Sequence, residues 1–185
     1  MNRQAGALRR SQRGLTLIEL MVVVALVAIL GMLSTGSMRG VIERNRIATG
    51  IDGFVGDLQF ARSEAITRGL PVTLCPSSDG ASCLTGDQWQ QGWIVFSDPD
   101  GSGTVSGPDA VLRRHKAWGA NDTFVATPGT GVLTYGRDGF LIKLAGSSAT
   151  LRAQASSGDT GSARCVSINR VGRQVVQQPG TGDCA

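Results

Sequence analysis

The sequence predicts an α+β fold, one long N-terminal helix packed on an antiparallel β-sheet domain, and three observations carry that reading. First, Leu20 to Leu33 holds no charged residue, and counting back to Leu15 the only one is Glu19, so the run has the length and purity of a single membrane-spanning helix. Second, apolar residues continue beyond it at helical spacing: Val41, Ile47, Ile51, Phe54, Val55, Leu58, Ala61, Ala65 and Ile66 form one stripe. Third, after Pro71 the period changes to short β-like runs separated by turn residues.

Taken in order, the chain opens with Arg9, Arg10 and Arg13 and has no acidic residue among the first fourteen. The positive-inside bias then places the N-terminus in the cytoplasm and the rest beyond the inner membrane. A secretory signal peptide would need a small-residue cleavage site after the apolar segment, and Leu33-Ser34-Thr35-Gly36 is a poor one. The helix is expected from about Thr16 to Arg68, roughly 80 Å at 1.5 Å per residue, with Gly69 and Pro71 as its stop. Gly31, Gly36, Gly40, Gly50, Gly53 and Gly56 each cost it up to about 1 kcal/mol relative to alanine, so a bend or loosened turn is expected among them.

Strands are expected at 72–75, 92–97, 111–116, 123–126, 132–135, 140–144, 150–155, 165–169 and 173–177. Gly136-Arg137-Asp138-Gly139 and Val171-Gly172 read as hairpin turns. Trp89, Trp93 and Phe96 read as core, because Trp93 and Val95 alternate with Ile94 and Phe96 along a strand.

Of the 18 basic side chains, Arg3, Arg9, Arg10 and Arg13 fall in the first fourteen residues, so the remaining 14 match the 14 acidic ones. The net charge of +4 therefore belongs to those fourteen residues and says nothing about partners of the rest. Cys75, Cys83, Cys165 and Cys184 allow three disulfide connectivities. Cys75–Cys83 with Cys165–Cys184 is preferred, because each closes a loop rich in Gly, Ser, Asp or Thr in a compartment where bridges persist. Zinc is disfavoured, since there is no C-x-x-C and His115 is the only histidine.

Enzyme signatures are not found: no G-x-S-x-G elbow, Walker loop or H-E-x-x-H occurs, and His115 stands among Arg113, Arg114 and Lys116 as part of a basic edge strand. The loop Asp98 to Asp109 offers carboxylates at alternate positions, as calcium loops do, but position twelve is Asp109 rather than glutamate. A turn-rich loop is the favoured reading, with no metal and no cofactor.

The stretch R-G-L-T-L-I-E-L-M-V-V-V-A at 13–25 resembles the leader and helix start of type IV pilins and type II secretion pseudopilins. A-R-S-E-A-I-T-R-G at 61–69, L-C-P-S-S-D-G around Cys75 and W-Q-Q-G-W-I-V-F-S-D at 89–98 narrow the resemblance to the GspH/FimT branch of minor pilins and minor pseudopilins. The resemblance implies a pilin-like organisation: leader 1–14, transmembrane and filament-core helix 15–36, exposed helix half 37–69 and a β-rich periplasmic domain 70–185. It implies that a prepilin peptidase cuts between Gly14 and Leu15 and that the new amine of Leu15 is methylated, Leu15 standing where the family usually has phenylalanine. Glu19 becomes the assembly glutamate that meets the amine of a neighbouring subunit.

The implied partners are thus the prepilin peptidase, other pilins or pseudopilins in a filament and the inner membrane, and the implied role is that of a non-enzymatic structural subunit at or near the tip. A second reading implies double-stranded DNA as partner. Asn169-Arg170-Val171-Gly172-Arg173-Gln174-Val175 resembles the G-R-x-R element with which FimT-type pilins hold DNA in uptake. Gly172 and Arg173 match its first half, Val175 stands where the second arginine should be, and Arg164, Arg170 and Arg173 would make a local positive end. Mass spectrometry of the chain recovered from its membrane should find Leu15 as first residue, carrying one methyl group. An intact Met1, or a cut after Gly36, would remove the filament reading.

Overall fold

A computed structural model describes residues 14, 16–119, 121–126, 129–144 and 146–184, and within these the side chains of 32–37 and 183 are outside the description. Leu15 and the leader therefore lie outside the described residues. The chain forms two compact units, one reaching to Arg39 and one beginning at Gly40.

Helix α1 (Leu17–Arg68) begins where the Thr16 hydroxyl accepts the Glu19 amide at 3.3 Å, a Thr-x-x-Glu start that satisfies an otherwise orphaned donor. It ends at Gly69, whose φ of +65° suits a glycine cap, two residues before Pro71. Helix α1 runs unbroken from Leu17 to Arg68, so the glycines do not interrupt it.

In the first unit every described side chain from Leu17 to Leu30 is exposed, with no face turned inward. Among the described residues no helix is long and apolar enough to cross a membrane. The expected span 15–36 includes Leu15 and the side chains of 32–37, which lie outside them.

In the second unit the same helix becomes amphipathic. Ile47, Ile51, Phe54, Leu58, Ala61 and Ala65 are buried at steps of three and four residues, whereas Val41 and Ile66 of the expected stripe are exposed. The buried side chains meet two antiparallel sheets. Strands β1 (Val72–Pro76), β2 (Trp93–Ser97), β3 (Ala110–His115), β5 (Leu133–Tyr135) and β6 (Leu141–Lys143) form the first, in the order β3-β2-β1-β5-β6. Strands β4 (Thr123–Ala126), β7 (Ser148–Gln154), β8 (Arg164–Asn169) and β9 (Gln174–Gln177) form the second, in the order β4-β7-β8-β9.

β7 alternates buried and open positions, as a strand with one wet face must. β1 and β2 are buried on both faces. Val72, Leu74, Trp93 and Val95 face the helix side of the core, while Cys75, Ile94 and Phe96 make a smaller cluster on the reverse with Val105, Val111 and Val132. The 98–109 loop thus contributes, through Val105, a cover over the back of the sheet. The bridges are Cys75–Cys83 and Cys165–Cys184, with Cα separations of 5.5 Å in each.

Phe54 joins helix and sheets, with ring edges or faces meeting Trp89 at 5.2 Å, Trp93 at 5.3 Å and Phe124 at 4.9 Å between centroids. Such edge-to-face pairs add about 0.5–1.5 kcal/mol beyond area burial. A second tie is the fork from Arg46 to Asp122, at 2.6 and 2.7 Å, which also leaves an Asp122 oxygen to accept the Ser156 amide at 3.0 Å. Phe54→Ala should therefore cost about 3–5 kcal/mol in chemical denaturation of the full chain. Phe54→Leu, which keeps most of the volume, should cost clearly less; equal losses would show that the aromatic junction does not organise the core.

Candidate functional site

Two of the regions singled out by the sequence, the helix start and the last hairpin, lie in different units. In the first, Gly14 is exposed and Glu19 occupies the first turn of α1. No ion pair engages Glu19 among the described residues. A carboxylate there is favoured by the helix N-terminus by about 0.3–1 kcal/mol. Around it, the 17–30 surface is apolar on all sides, a condition met by helices that lie in lipid or inside a bundle.

In the second unit the β8–β9 hairpin carries Arg170, Gly172 and Arg173. The Gly172 amide donates to the Asn169 carbonyl at 2.9 Å, and the Asn169 side chain accepts the Arg173 amide at 2.9 Å, closing a tight turn. Gly172 has φ +76° and is buried. A Cβ there would stand 3.0 Å from the Gly139 carbonyl oxygen and 3.2 Å from the Tyr135 ring, while Arg62 donates to the Gly172 carbonyl at 3.3 Å. Backbone conformation and close approach thus account for this glycine without a ligand.

The three arginines expected to form one positive end are not brought together. Arg164 opens β8, at the far end of the strand from the turn, and its guanidinium donates to the Ala163 carbonyl at 2.6 Å and the Gly161 carbonyl at 3.4 Å. Arg170 and Arg173 are exposed at the turn, with Arg170 also donating to the Gly146 carbonyl at 3.0 Å. Residues missed by the sequence reading join them instead: Arg62 from α1 and Arg137 from the β5–β6 turn. The Leu141 amide donates to the Arg170 carbonyl at 2.8 Å, which sets the two turns side by side.

The Asp98 loop is organised by its own hydrogen bonds. The buried Asp98 carboxylate accepts the Thr73 hydroxyl at 2.6 Å, the Ser102 amide at 2.8 Å and the Gly103 amide at 2.9 Å. Asp100 and Asp109 bring carboxylate oxygens within 4.8 Å of it. The Ser102 amide, ahead of other donors, holds Asp100 below the ordinary carboxylate range. These are the contacts of a turn-rich loop.

The other singled-out side chains are in the core. Trp89, Trp93 and Phe96 are buried, with Trp93 donating its indole N–H to Asp57 at 2.9 Å. His115 stacks on Trp93 at 3.8 Å, and its Nδ1 lies 3.0 Å from the Lys116 carbonyl. That histidine is held as a packing element at the sheet edge.

Comparison with known proteins bears on both regions. Residues 51–172 match the family model described as type II transport protein GspH, and residues 9–35 match the prokaryotic N-terminal methylation motif. The chain is similar to type II secretion system protein H of Xanthomonas campestris, at 33% identity over 70 residues, which cover 38% of this chain and 41% of that protein. The chain thus spans less than half the length of that relative.

Among solved structures, the type IV minor pilin FimU of Pseudomonas aeruginosa is similar with a TM-score of 0.59 and 24% identity, over 77% of this chain and 98% of that one. The minor pseudopilin EpsH from the type 2 secretion system of Vibrio cholerae has a TM-score of 0.50 and 12% identity, over 74% of this chain and 99% of that one. At these identities the likeness is one of fold.

Gly172→Ala should destabilise the full chain by about 1–3 kcal/mol in denaturant titration, the cost of a left-handed alanine pressed on the Gly139 carbonyl. Arg173→Gln should stay within about 0.5 kcal/mol. The reverse order would assign the turn a role other than backbone geometry.

Proposed function

Because the chain belongs to the GspH family of type II transport proteins, we propose that it works as a minor pilin or pseudopilin, a structural rather than catalytic subunit of a type II secretion pseudopilus or type IV pilus. The observation that carries this reading is the apolar surface of α1 from Leu17 to Leu30, exposed on every side. Leaving a Val, Leu or Ile side chain in water rather than burying it costs about 1.5–3 kcal/mol. Summed over that surface, the cost exceeds the whole stability of a typical domain, about 5–15 kcal/mol. Lipid before assembly and other helices after it are the two environments that remove the cost.

The methylation motif at 9–35 supports the same route. A prepilin peptidase cuts after Gly14 and methylates Leu15, the N-terminus faces the cytoplasm, and the β-rich domain faces the periplasm at or near the filament tip. Within hydrocarbon the Glu19 carboxylate costs about 2.5–3.5 kcal/mol. The helix N-terminus offsets about 0.3–1 of that, so roughly 2 kcal/mol remains for a partner to supply. The free amine of a neighbouring subunit is such a partner, with a reference pKa of about 7.7–8.0 that leaves it largely cationic at neutral pH. Uptake of DNA by the β8–β9 turn has weaker support, because Gly172 is required by backbone geometry and Arg164 sits elsewhere.

The test separates insertion from assembly. Glu19→Ala should fractionate with the inner membrane as well as the parent chain, yet be lost by tenfold or more from sheared filaments or from crosslinked pseudopilus complexes. Unchanged incorporation would show that Glu19 is not an assembly contact.

A further inference from the structure

The end of the second unit at which α1 stops carries large apolar side chains that are left exposed among the described residues. Ile66 is 53% exposed, Leu70 41%, Phe140 47%, Ile142 54% and Val171 52%. They form one patch. Ile66 Cδ1 lies 2.9 Å from where a Cβ on Gly139 would stand, Ile142 Cγ2 lies 3.0 Å from the same position on Gly136, and the Leu141 amide ties this turn to Arg170. Within the patch opens a cavity of about 330 Å³ between Leu70, Pro71, Pro99 and Ile142, with Arg137 and Asp138 on its wall. It has room for one large apolar side chain. Contiguous exposed apolar surface with a polar rim marks interaction sites.

The rim is basic. Arg137, Arg170 and Arg173 are exposed, and none of them has an ion-pair partner among the described residues. Of the carboxylates nearby, Glu64 is paired with Arg68, the buried Asp98 is taken up by the Thr73 hydroxyl and the Ser102 and Gly103 amides, Asp100 accepts the Ser102 amide at 3.0 Å, and Asp138, beside Arg137, accepts the Phe140 amide of its own turn at 3.1 Å, so the three arginines still outnumber the exposed acids. An apolar centre ringed by arginines has the make-up of a protein interface rather than of a nucleic-acid one. Phosphate binding gains from dense cations and gains nothing from five exposed aliphatic and aromatic side chains. Two copies of this patch brought together about a two-fold axis would set arginine against arginine, so charge complementarity calls for a partner of the opposite sign.

We propose that this end of the domain is a docking surface for an acidic segment of a different subunit of the same filament, one that seats an apolar side chain between Leu70 and Ile142 and sets carboxylates against Arg137, Arg170 and Arg173. The inference rests on the filament reading above, and adds to it the face by which the β-domain is held and the chemistry of what holds it.

The test uses the full chain in its native cell with the other filament subunits present. Ile142→p-benzoylphenylalanine, after irradiation, should give an adduct whose mapped site is a carboxylate-bearing, apolar stretch of another filament subunit. Adding Arg137→Glu should reduce the adduct at least fivefold, and Arg137→Gln should reduce it by less. Non-reducing mapping of both disulfides shows that the variants are folded. Val125→p-benzoylphenylalanine, on β4, is the reference position.

The proposal is overturned if the Ile142 adduct does not exceed the Val125 reference, or forms with a second copy of this chain, with nucleic acid, with lipid or with a segment lacking carboxylates. It is also overturned if the adduct is insensitive to Arg137→Glu. In each of those cases the chain is still recovered in the filament fraction, and only the docking surface falls. Absence of the chain from that fraction would overturn the filament reading and the docking surface together.

Discussion

A single helix has to satisfy two solvents. Up to Leu30 its described surface is apolar all round, with Glu19 as the only charge and with no face buried within its own unit. From Ile47 onward it buries one stripe under two sheets and shows polar residues such as Thr49, Asp52 and Gln59 to water. Within the first unit no described residue buries that surface. The family membership and the methylation motif are consistent with such a surface.

The second half of the helix is held to both sheets of its own unit. Phe54 meets aromatic rings from both sheets, Asp57 accepts from the Trp93 indole and from Arg113, and Arg46 forks onto the buried Asp122. Each tie runs from α1 to a strand or to the loop beside one. Within the second unit the helix is therefore part of the core. The far end of the sheets, where α1 stops, is left with the arginine-rimmed apolar patch.

Much of this was legible from spacing alone. The helix limits, the strands and the hairpin turns at 136–139 and 171–172 lie within a residue or two of where apolar period and turn chemistry put them. The pairs Cys75–Cys83 and Cys165–Cys184 follow loop composition. The failures have a common cause, which is contact between residues far apart in the chain. Gly50 and Gly53 looked like weak points of the helix. In three dimensions a Cβ on Gly50 would stand 2.6 Å from the Trp118 ring and one on Gly53 3.3 Å from His115, so both glycines admit aromatic neighbours. β1 and β2 conceal a second, smaller core because a distant loop covers their reverse. Arg164 and Arg173 are close in sequence but at opposite ends of a hairpin, whereas Arg62 and Arg137, remote in sequence, share one end with Arg170. Periodicity reports which face a residue occupies; it carries no information on which distant turn will lie beside it.

Solvent access along the upper helix tests the central claim most directly. The native cysteines seen in the structure are all paired, so a cysteine introduced at Leu26 can be read by a membrane-impermeant maleimide in intact cells and in isolated filaments, against one introduced at exposed Val125. The account predicts that Val125→Cys reacts to completion in opened periplasm and that Leu26→Cys stays unlabelled, shielded by lipid before assembly and by other helices after it. Labelling of Leu26→Cys to the level of Val125→Cys, in a chain whose two disulfides are intact, would mean that the apolar helix surface is not buried in the cell, and the account of this protein as a helix-anchored filament subunit would be wrong.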